Sequence, residues 1–167
     1  MVTSKTIRSS VAAAAAALLL AACGSNDIYN TFVHMPEDGW SADSLAVFRV
    51  DIDDATVPYD LWMQVRNHPD YAYGNLWLFV NIISPDGNQT TDTLECILAR
   101  PDGRWLGEGW GSYYTLQCPY RAGARFAQPG RYIFRAQHGM RADDIRGIEA
   151  VGLRVCPSEQ PKARTAQ

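Results

Sequence analysis

The sequence has no excess of positive charge and no apolar run long enough to cross a membrane. Its 167 residues include 15 Lys and Arg against 18 Asp and Glu, a formal net charge of −3. Nucleic-acid-binding proteins usually present a basic face, so we expect no nucleic acid among the partners. The apolar run at residues 11–22 has 12 residues, whereas a transmembrane helix needs roughly 20.

Motifs that mark catalytic and metal sites are also missing. There is no Gly-x-Ser-x-Gly elbow, and no glycine-rich phosphate loop precedes a helix. The cysteines include no Cys-x-x-Cys pair, and His34, His68 and His138 lie far apart in the sequence, which disfavours a zinc site. We therefore predict a protein without enzyme activity, cofactor or metal.

The beginning of the chain has the pattern of a bacterial lipoprotein signal peptide. Lys5 and Arg8 form a positive segment, the apolar run follows, and Leu20-Ala21-Ala22-Cys23 resembles a lipobox. We predict cleavage before Cys23, whose thiol would carry the lipid, with palmitate among the acyl chains. The alternative is an ordinary signal peptide followed by a chance cysteine.

Cleavage would leave a mature chain of 145 residues with a formal net charge of −5. We divide the sequence into a signal peptide at 1–22, a lipidated tether at 23–30, a β-sandwich domain at 31–156 and a disordered tail at 157–167. Gly24 stands where an acidic residue would retain some lipoproteins at the inner membrane, which favours the outer membrane of the cell envelope. The lipid would make the membrane a partner of the protein.

Most of the mature chain alternates apolar and polar residues. This period of two, typical of a strand with one buried face, occurs at residues 47–53, 59–66, 94–99, 131–136 and 151–155. Residues 76–83 are apolar on both faces apart from Asn81, which predicts a central strand covered on both sides.

Turn signals separate these segments. Pro85-Asp86-Gly87 and Pro101-Asp102-Gly103 suit tight hairpins, and the best helical candidate is one turn at 141–145. With eight to ten strands in the mature chain, we predict an all-β fold. The natural packing is a two-sheet antiparallel β-sandwich that resembles a jelly roll.

A series of short motifs runs through the domain in a fixed order. They lie at residues 65–67, 70–79, 85–87, 92–95, 103–107, 126, 130–132, 137–141, 147–148 and 151–153. The series resembles the GldH family of gliding-motility lipoproteins from Bacteroidetes, over about residues 23–156. The resemblance implies an envelope lipoprotein that associates with the gliding machinery and with type IX secretion. It carries over only Cys23 as a functional position.

Four aromatic residues crowd into ten positions, at Trp105, Trp110, Tyr113 and Tyr114. If exposed, they could contact a protein partner or stack on sugar rings, and if buried they would belong to the core. We expect the protein to act by protein–protein interaction with envelope proteins of the gliding or secretion assembly. Carbohydrate binding at these aromatic residues is the alternative.

Three cysteines remain after Cys23. By strand alternation Cys96 and Cys118 point inward, and an oxidising envelope permits disulfides. A bridge between these two residues and a pair of buried thiols both fit the sequence.

Overall fold

The computed structural model describes residues 26–158. Within these residues all regular secondary structure is β-strand, so none of it is a helix of the length and apolarity that a membrane crossing requires. The strands are β1 (Tyr29–His34), β2 (Trp40–Ser41), β3 (Ala46–Ile52), β4 (Tyr59–Asn67), β5 (Asn75–Ile83), β6 (Gln89–Ile97), β7 (Glu108–Trp110), β8 (Tyr113–Ala124), β9 (Gly130–His138), β10 (Asp144–Ile145) and β11 (Ile148–Pro157).

The long strands form two antiparallel sheets that pack over a shared core. The five-stranded sheet has the order β1-β11-β4-β8-β7, and the four-stranded sheet has the order β3-β9-β5-β6. β2 and β10 form a separate two-stranded sheet. The chain crosses between the large sheets several times, whereas the pairs β5–β6 and β7–β8 each stay within one sheet. The predicted antiparallel β-sandwich is confirmed.

The core follows from the alternation seen in the sequence. On β9, Tyr132, Phe134 and Ala136 are buried, whereas Arg131 is exposed. Phe48 on the neighbouring strand β3 pairs with Phe134, and both rings are fully buried. Burying one such side chain contributes about 1.5–3 kcal/mol of transfer free energy, so the pairing of β3 with β9 contributes substantially to stability.

Both ends of the sandwich reach past the predicted boundaries. β1 begins at Tyr29, within the predicted tether at 23–30, and β11 ends at Pro157, the first residue of the predicted tail. The backbone N–H of Ser158 donates to the carbonyl of Pro58 at 2.9 Å, which fixes the end of the described domain. At both ends the backbone pairing extends beyond the apolar alternation. The domain boundaries predicted from that alternation, 31 and 156, therefore fall inside β1 and β11.

The predicted signal peptide at 1–22 and the lipidation site Cys23 lie outside the described residues, as do tail residues 159–167. These assignments stay predictions.

Residues 141–145 do not form the predicted helical turn. Asp144 and Ile145 make the short strand β10, in which Ile145 pairs with Trp40 of β2. Both side chains are buried, so a contact distant in sequence decides the local backbone here. A segment of five residues is too short for its apolar pattern to distinguish a helical turn from bends followed by a short strand.

The predicted turns at 85–87 and 101–103 are confirmed. Gly87 and Gly103 have φ values of +86° and +83°, a conformation that other L-residues rarely adopt. The turn at 85–87 joins β5 to β6.

Gly109 lets β7 approach β8 closely, and we expect Gly109→Ala to separate the two strands. A Cβ at this position would lie 2.1 Å from the carbonyl oxygen of Tyr113, which is backbone and cannot rotate away. Because β7 is a short edge strand, the expected loss is about 1–3 kcal/mol of unfolding free energy. Hydrogen exchange should show faster amide exchange in β7. Gly74→Ala is the matched control, since its Cβ would make only an ordinary 3.8 Å contact with Ala99; equal effects of both changes would contradict the packing argument.

His138 is a buried base at the end of β9. Its ring is 2% exposed and packs edge-on against Trp40, with centroids 5.3 Å apart. Within the described residues neither ring nitrogen has a well-formed hydrogen bond, although the backbones of Trp40 and Asp143 lie nearby. Burial lowers the pKa of His138 below its ordinary value of 6.5.

We expect this burial to make stability depend on pH. As the pH falls below about 6.5, the unfolded chain takes up a proton at His138 more readily than the folded chain, so the free energy of unfolding decreases. Urea denaturation at pH 7.5 and pH 5.5 measures the difference. The slope should shrink in His138→Gln and persist in His34→Gln, whose ring is exposed. An unchanged slope in His138→Gln would assign the pH dependence to other groups.

Candidate interaction surfaces

The four aromatic residues predicted as a contact site do not share one surface. Trp105 and Tyr114 stack on each other, with ring centroids 6.1 Å apart and planes at 28°, and both are half-buried. Trp105 also packs against the core. Tyr113, on the opposite face of β8, is 41% exposed. The side chain of Trp110 lies outside the described part of the structure.

Tyr113 is engaged by a cation from its own sheet. The guanidinium of Arg66 lies 4.8 Å from the Tyr113 ring centroid and 4.6 Å from that of Phe32. Arg66 Nε also donates to Thr115 Oγ1 at 3.3 Å. Such cation–π contacts hold rings in place, so one face of Tyr113 is already used within the chain.

Two histidines that are distant in sequence meet at one end of the five-stranded sheet. His68 Nε2 lies 3.0 Å from Glu149 Oε2, and His34 Nδ1 lies 3.4 Å from Glu149 Oε1. The hydrogen bond with His68, aided by that with His34, lowers the pKa of Glu149. No group of three His, Cys, Asp or Glu side chains among residues 26–158 is arranged to hold a metal ion. The arrangement therefore supports an ion-pair link between strands.

A group of exposed apolar side chains lies on the outer side of the four-stranded sheet. We call it the aromatic face and define it by the exposed side chains of Tyr73, Trp77, Phe79 and Ile97. The prediction that residues 76–83 are covered on both sides is wrong. Alternate residues of β5 face the core, but Trp77 is 38% exposed and Phe79 is exposed as well. Grouped exposed aromatic residues of this kind mark interaction sites.

An open groove of about 460 Å³ lies at one end of the aromatic face. It is lined by Tyr73, Asn75, Trp77, Gly139, Met140 and Arg141. The groove forms because the Gly139 N–H donates to the Trp77 carbonyl at 2.7 Å, which places residues 139–141 beside β5. At its rim Asn75 Nδ2 donates to Glu95 Oε1 at 2.6 Å. The lining thus combines flat apolar rings with a guanidinium and an amide.

Gly139 lets Phe79 lie against the backbone. A Cβ at position 139 would come within 2.9 Å of Phe79 Cε2, so any larger residue would displace this ring. The aromatic face therefore depends on two chain segments, 70–79 and 137–141. Both segments are among the motifs that carry the family resemblance, and they lie about 60 residues apart in the sequence.

This surface was not predicted from the sequence, because apolar residues on both faces of a strand indicate burial on both sides. The available signal was the identity of the outward residues. Trp77 and Phe79 alternate with Leu76, Leu78 and Val80, and aromatic residues opposite an aliphatic core stripe are compatible with a contact surface.

The described domain is an all-β sandwich with an exposed aromatic face. The family model described as GldH lipoprotein matches residues 27–155, nearly the whole of the described domain. The chain belongs to the GldH lipoprotein family, which confirms the resemblance drawn from the ordered motifs.

Two curated relatives cover most of the chain. The Gliding motility lipoprotein GldH homolog of Christiangramia forsetii is 34% identical over 149 residues, which span 85% of this chain and 91% of that protein. The Gliding motility lipoprotein GldH of Flavobacterium johnsoniae is 28% identical over 156 residues, spanning 89% of this chain and 96% of that protein. These relatives support a gliding-motility lipoprotein of the cell envelope.

Among solved structures, an arabinose-bound MgGH51 α-L-arabinofuranosidase has a partial similarity. The TM-score is 0.36 at 12% sequence identity, and the match covers 77% of this chain and only 19% of that chain. A likeness of this size carries no argument about fold or activity.

Proposed function

We propose that this protein is a non-enzymatic, lipid-anchored component of the outer membrane that supports gliding motility or type IX secretion by binding a protein partner. Its membership of a gliding-motility lipoprotein family supports the general role. The observation that carries the specific role is the aromatic face, where two family motifs build an exposed groove. An exposed apolar surface of this composition is characteristic of protein interaction sites.

The anchor would act by raising the local concentration of the domain. Cys23 precedes the first strand residue, Tyr29, by six positions, a reach of at most about 21 Å at roughly 3.5 Å per residue. The sandwich would therefore stay near the bilayer and meet membrane-bound partners at a high effective concentration.

The groove offers the chemistry of a binding hot spot. Trp77 supplies a large flat apolar surface, Met140 is adaptable, and Arg141 adds a charged donor beside them. We expect the partner to insert an apolar or aromatic side chain, with an acidic or carbonyl oxygen near Arg141.

A clean deletion strain tests this role. Quantitative proteomics of the culture fluid and cell surface should show loss of type IX cargo, and the wild-type gene should restore it. Cys23→Ala should fail to restore cargo because the domain would no longer be held at the membrane. Unchanged cargo in the deletion strain, together with unchanged movement over surfaces in a gliding host, would refute the proposal.

Carbohydrate binding is a second candidate, favoured by the presence of Trp77, Asn75 and Arg141 in one groove. Aromatic rings beside amide and guanidinium donors can stack on a sugar and hydrogen-bond its hydroxyls. The site first predicted from sequence fits less well, because Trp105 and Tyr114 stack on each other. Saturable quenching of tryptophan fluorescence by a polysaccharide, lost in Trp77→Ala, would support this function. An absence of quenching across a broad panel would remove it.

A further inference from the structure

Two buried cysteines, one from each large sheet, meet in the core. Cys96 lies on β6 of the four-stranded sheet, and Cys118 lies on β8 of the five-stranded sheet. Both face inward, as the alternation predicted, and the two thiols lie close enough to interact with each other in the core. The two sulfurs are unbonded in the structure.

Other contacts hold β6 beside β8 independently of the cysteines. The Tyr120 hydroxyl and the Arg121 guanidinium, both on β8, donate to the carboxylate of Asp92 on β6. Asp92 and Cys96 share the inward face of β6, since they pair with buried Val80 and Leu76 of β5. These contacts hold the two strands together within a few residues of each cysteine.

We propose that Cys96 and Cys118 form an inter-sheet disulfide in the exported protein. Each thiol loses one hydrogen as the sulfur–sulfur bond forms. The two electrons and two protons pass to the disulfide of a thiol–disulfide exchange protein, which is reduced to two thiols. Lipoproteins of this family are exported to the envelope, a compartment in which disulfides can form and persist.

The bridge would stabilise the folded domain and the part of β5 that lines the groove. It closes a loop of 23 residues that contains β7, which restricts the unfolded chain. Cys96 pairs with Leu76, whose neighbours Asn75 and Trp77 line the groove. Fixing β6 to β8 therefore also holds the strand next to the aromatic face.

Oxidation takes place before the two sheets close over the cysteines. The neighbouring Cys118 thiol and burial both raise the pKa of Cys96, so the reactive thiolate is scarce in the folded domain. Burial also keeps an exchange protein from reaching either sulfur. The same shielding makes the completed bridge slow to reduce.

Peptide mapping tests the bond in the full-length lipoprotein. Cells are treated with N-ethylmaleimide at harvest, and the protein is purified from detergent-solubilised membranes. It is then unfolded in urea with fresh N-ethylmaleimide, so that buried thiols also react, and digested with trypsin without reduction. Arg104, followed by Trp105, lies between the two cysteines, so cleavage after Arg104 separates them unless they are linked. We expect a linked peptide that reductant splits. N-ethylmaleimide adducts on both cysteines in most molecules would overturn the proposal.

Thermal unfolding provides the second measurement. Protein refolded in the presence of reductant should melt about 10 °C below oxidised protein, given a loop of this length. The double variant Cys96→Ala/Cys118→Ala should not respond to reductant, while Cys156→Ser should respond like the wild type. Equal melting temperatures of oxidised and reduced wild-type protein would contradict the bridge even if the double variant fails to fold.

Discussion

Trp77→Ala is expected to abolish complementation of a deletion strain, whereas Tyr113→Ala is expected to complement it. Both are aromatic residues of similar exposure, 38% and 41%, and they lie on the outer sides of opposite sheets. If partner binding uses the aromatic face, removing its Trp should cost about 2 kcal/mol or more, which is roughly a 30-fold loss of affinity. Cell movement and secreted cargo are the measured outcomes.

These two variants also distinguish the aromatic face, found in the structure, from the aromatic site predicted from the sequence. Tyr113→Ala removes a contact with Arg66 and should cost about 0.5–1 kcal/mol of stability, too little to unfold the domain. Immunoblots of membrane fractions would establish equal amounts of both variants. Full complementation by Trp77→Ala, with failure of Tyr113→Ala, would move the site to the outer side of the five-stranded sheet.

Phe134→Ala is expected to lower the free energy of unfolding by about 3–5 kcal/mol. Phe134 is fully buried on β9, where it pairs with Phe48 on one side and Ile82 on the other. Truncation would leave a cavity in the centre of the core, which surrounding side chains fill only in part. Native domains have only about 5–15 kcal/mol of stability in total, so the variant should be scarce in cells. Urea denaturation of the purified protein measures the loss.

Ile133→Ala is the matched control for this change. Ile133 is the adjacent residue of the same strand, but it lies on the outer face and is half-buried. Its truncation should cost about 1 kcal/mol or less. Comparable losses for both residues would mean that the two faces of β9 contribute equally to stability.

The architecture was largely readable from the sequence because its physical signal is local. A strand with one buried face must alternate apolar and polar residues, so β3, β4 and β9 were visible before their partners were known. Turn glycines with positive φ marked the hairpins in the same local way. The start of β1 and the end of β11 were harder to predict, since these residues pair through the backbone without an apolar alternation.

The candidate site was harder to predict, because it depends on contacts between distant segments. Trp105 and Tyr114 are near in sequence, but their rings stack on each other, which leaves less of each ring available to a partner. Trp77 and Arg141 are far apart in sequence and come together through backbone pairing of Gly139 with β5. His34 and His68 likewise meet only through Glu149. Strand alternation identifies which side of a strand is buried, but it cannot show which outward side chains share a surface.

The inward carboxylate of Asp92 affects whether neighbouring molecules at a membrane can pair through their sheet edges. β6 is an edge strand of nine residues, and its unpaired backbone groups could pair with the edge of another molecule. An incoming strand would have to cover the Asp92 carboxylate together with its Arg121 and Tyr120 partners, and so remove water from a charged cluster. Anchored molecules diffuse in two dimensions and collide often, so this charge would favour separate molecules over aggregates joined edge to edge.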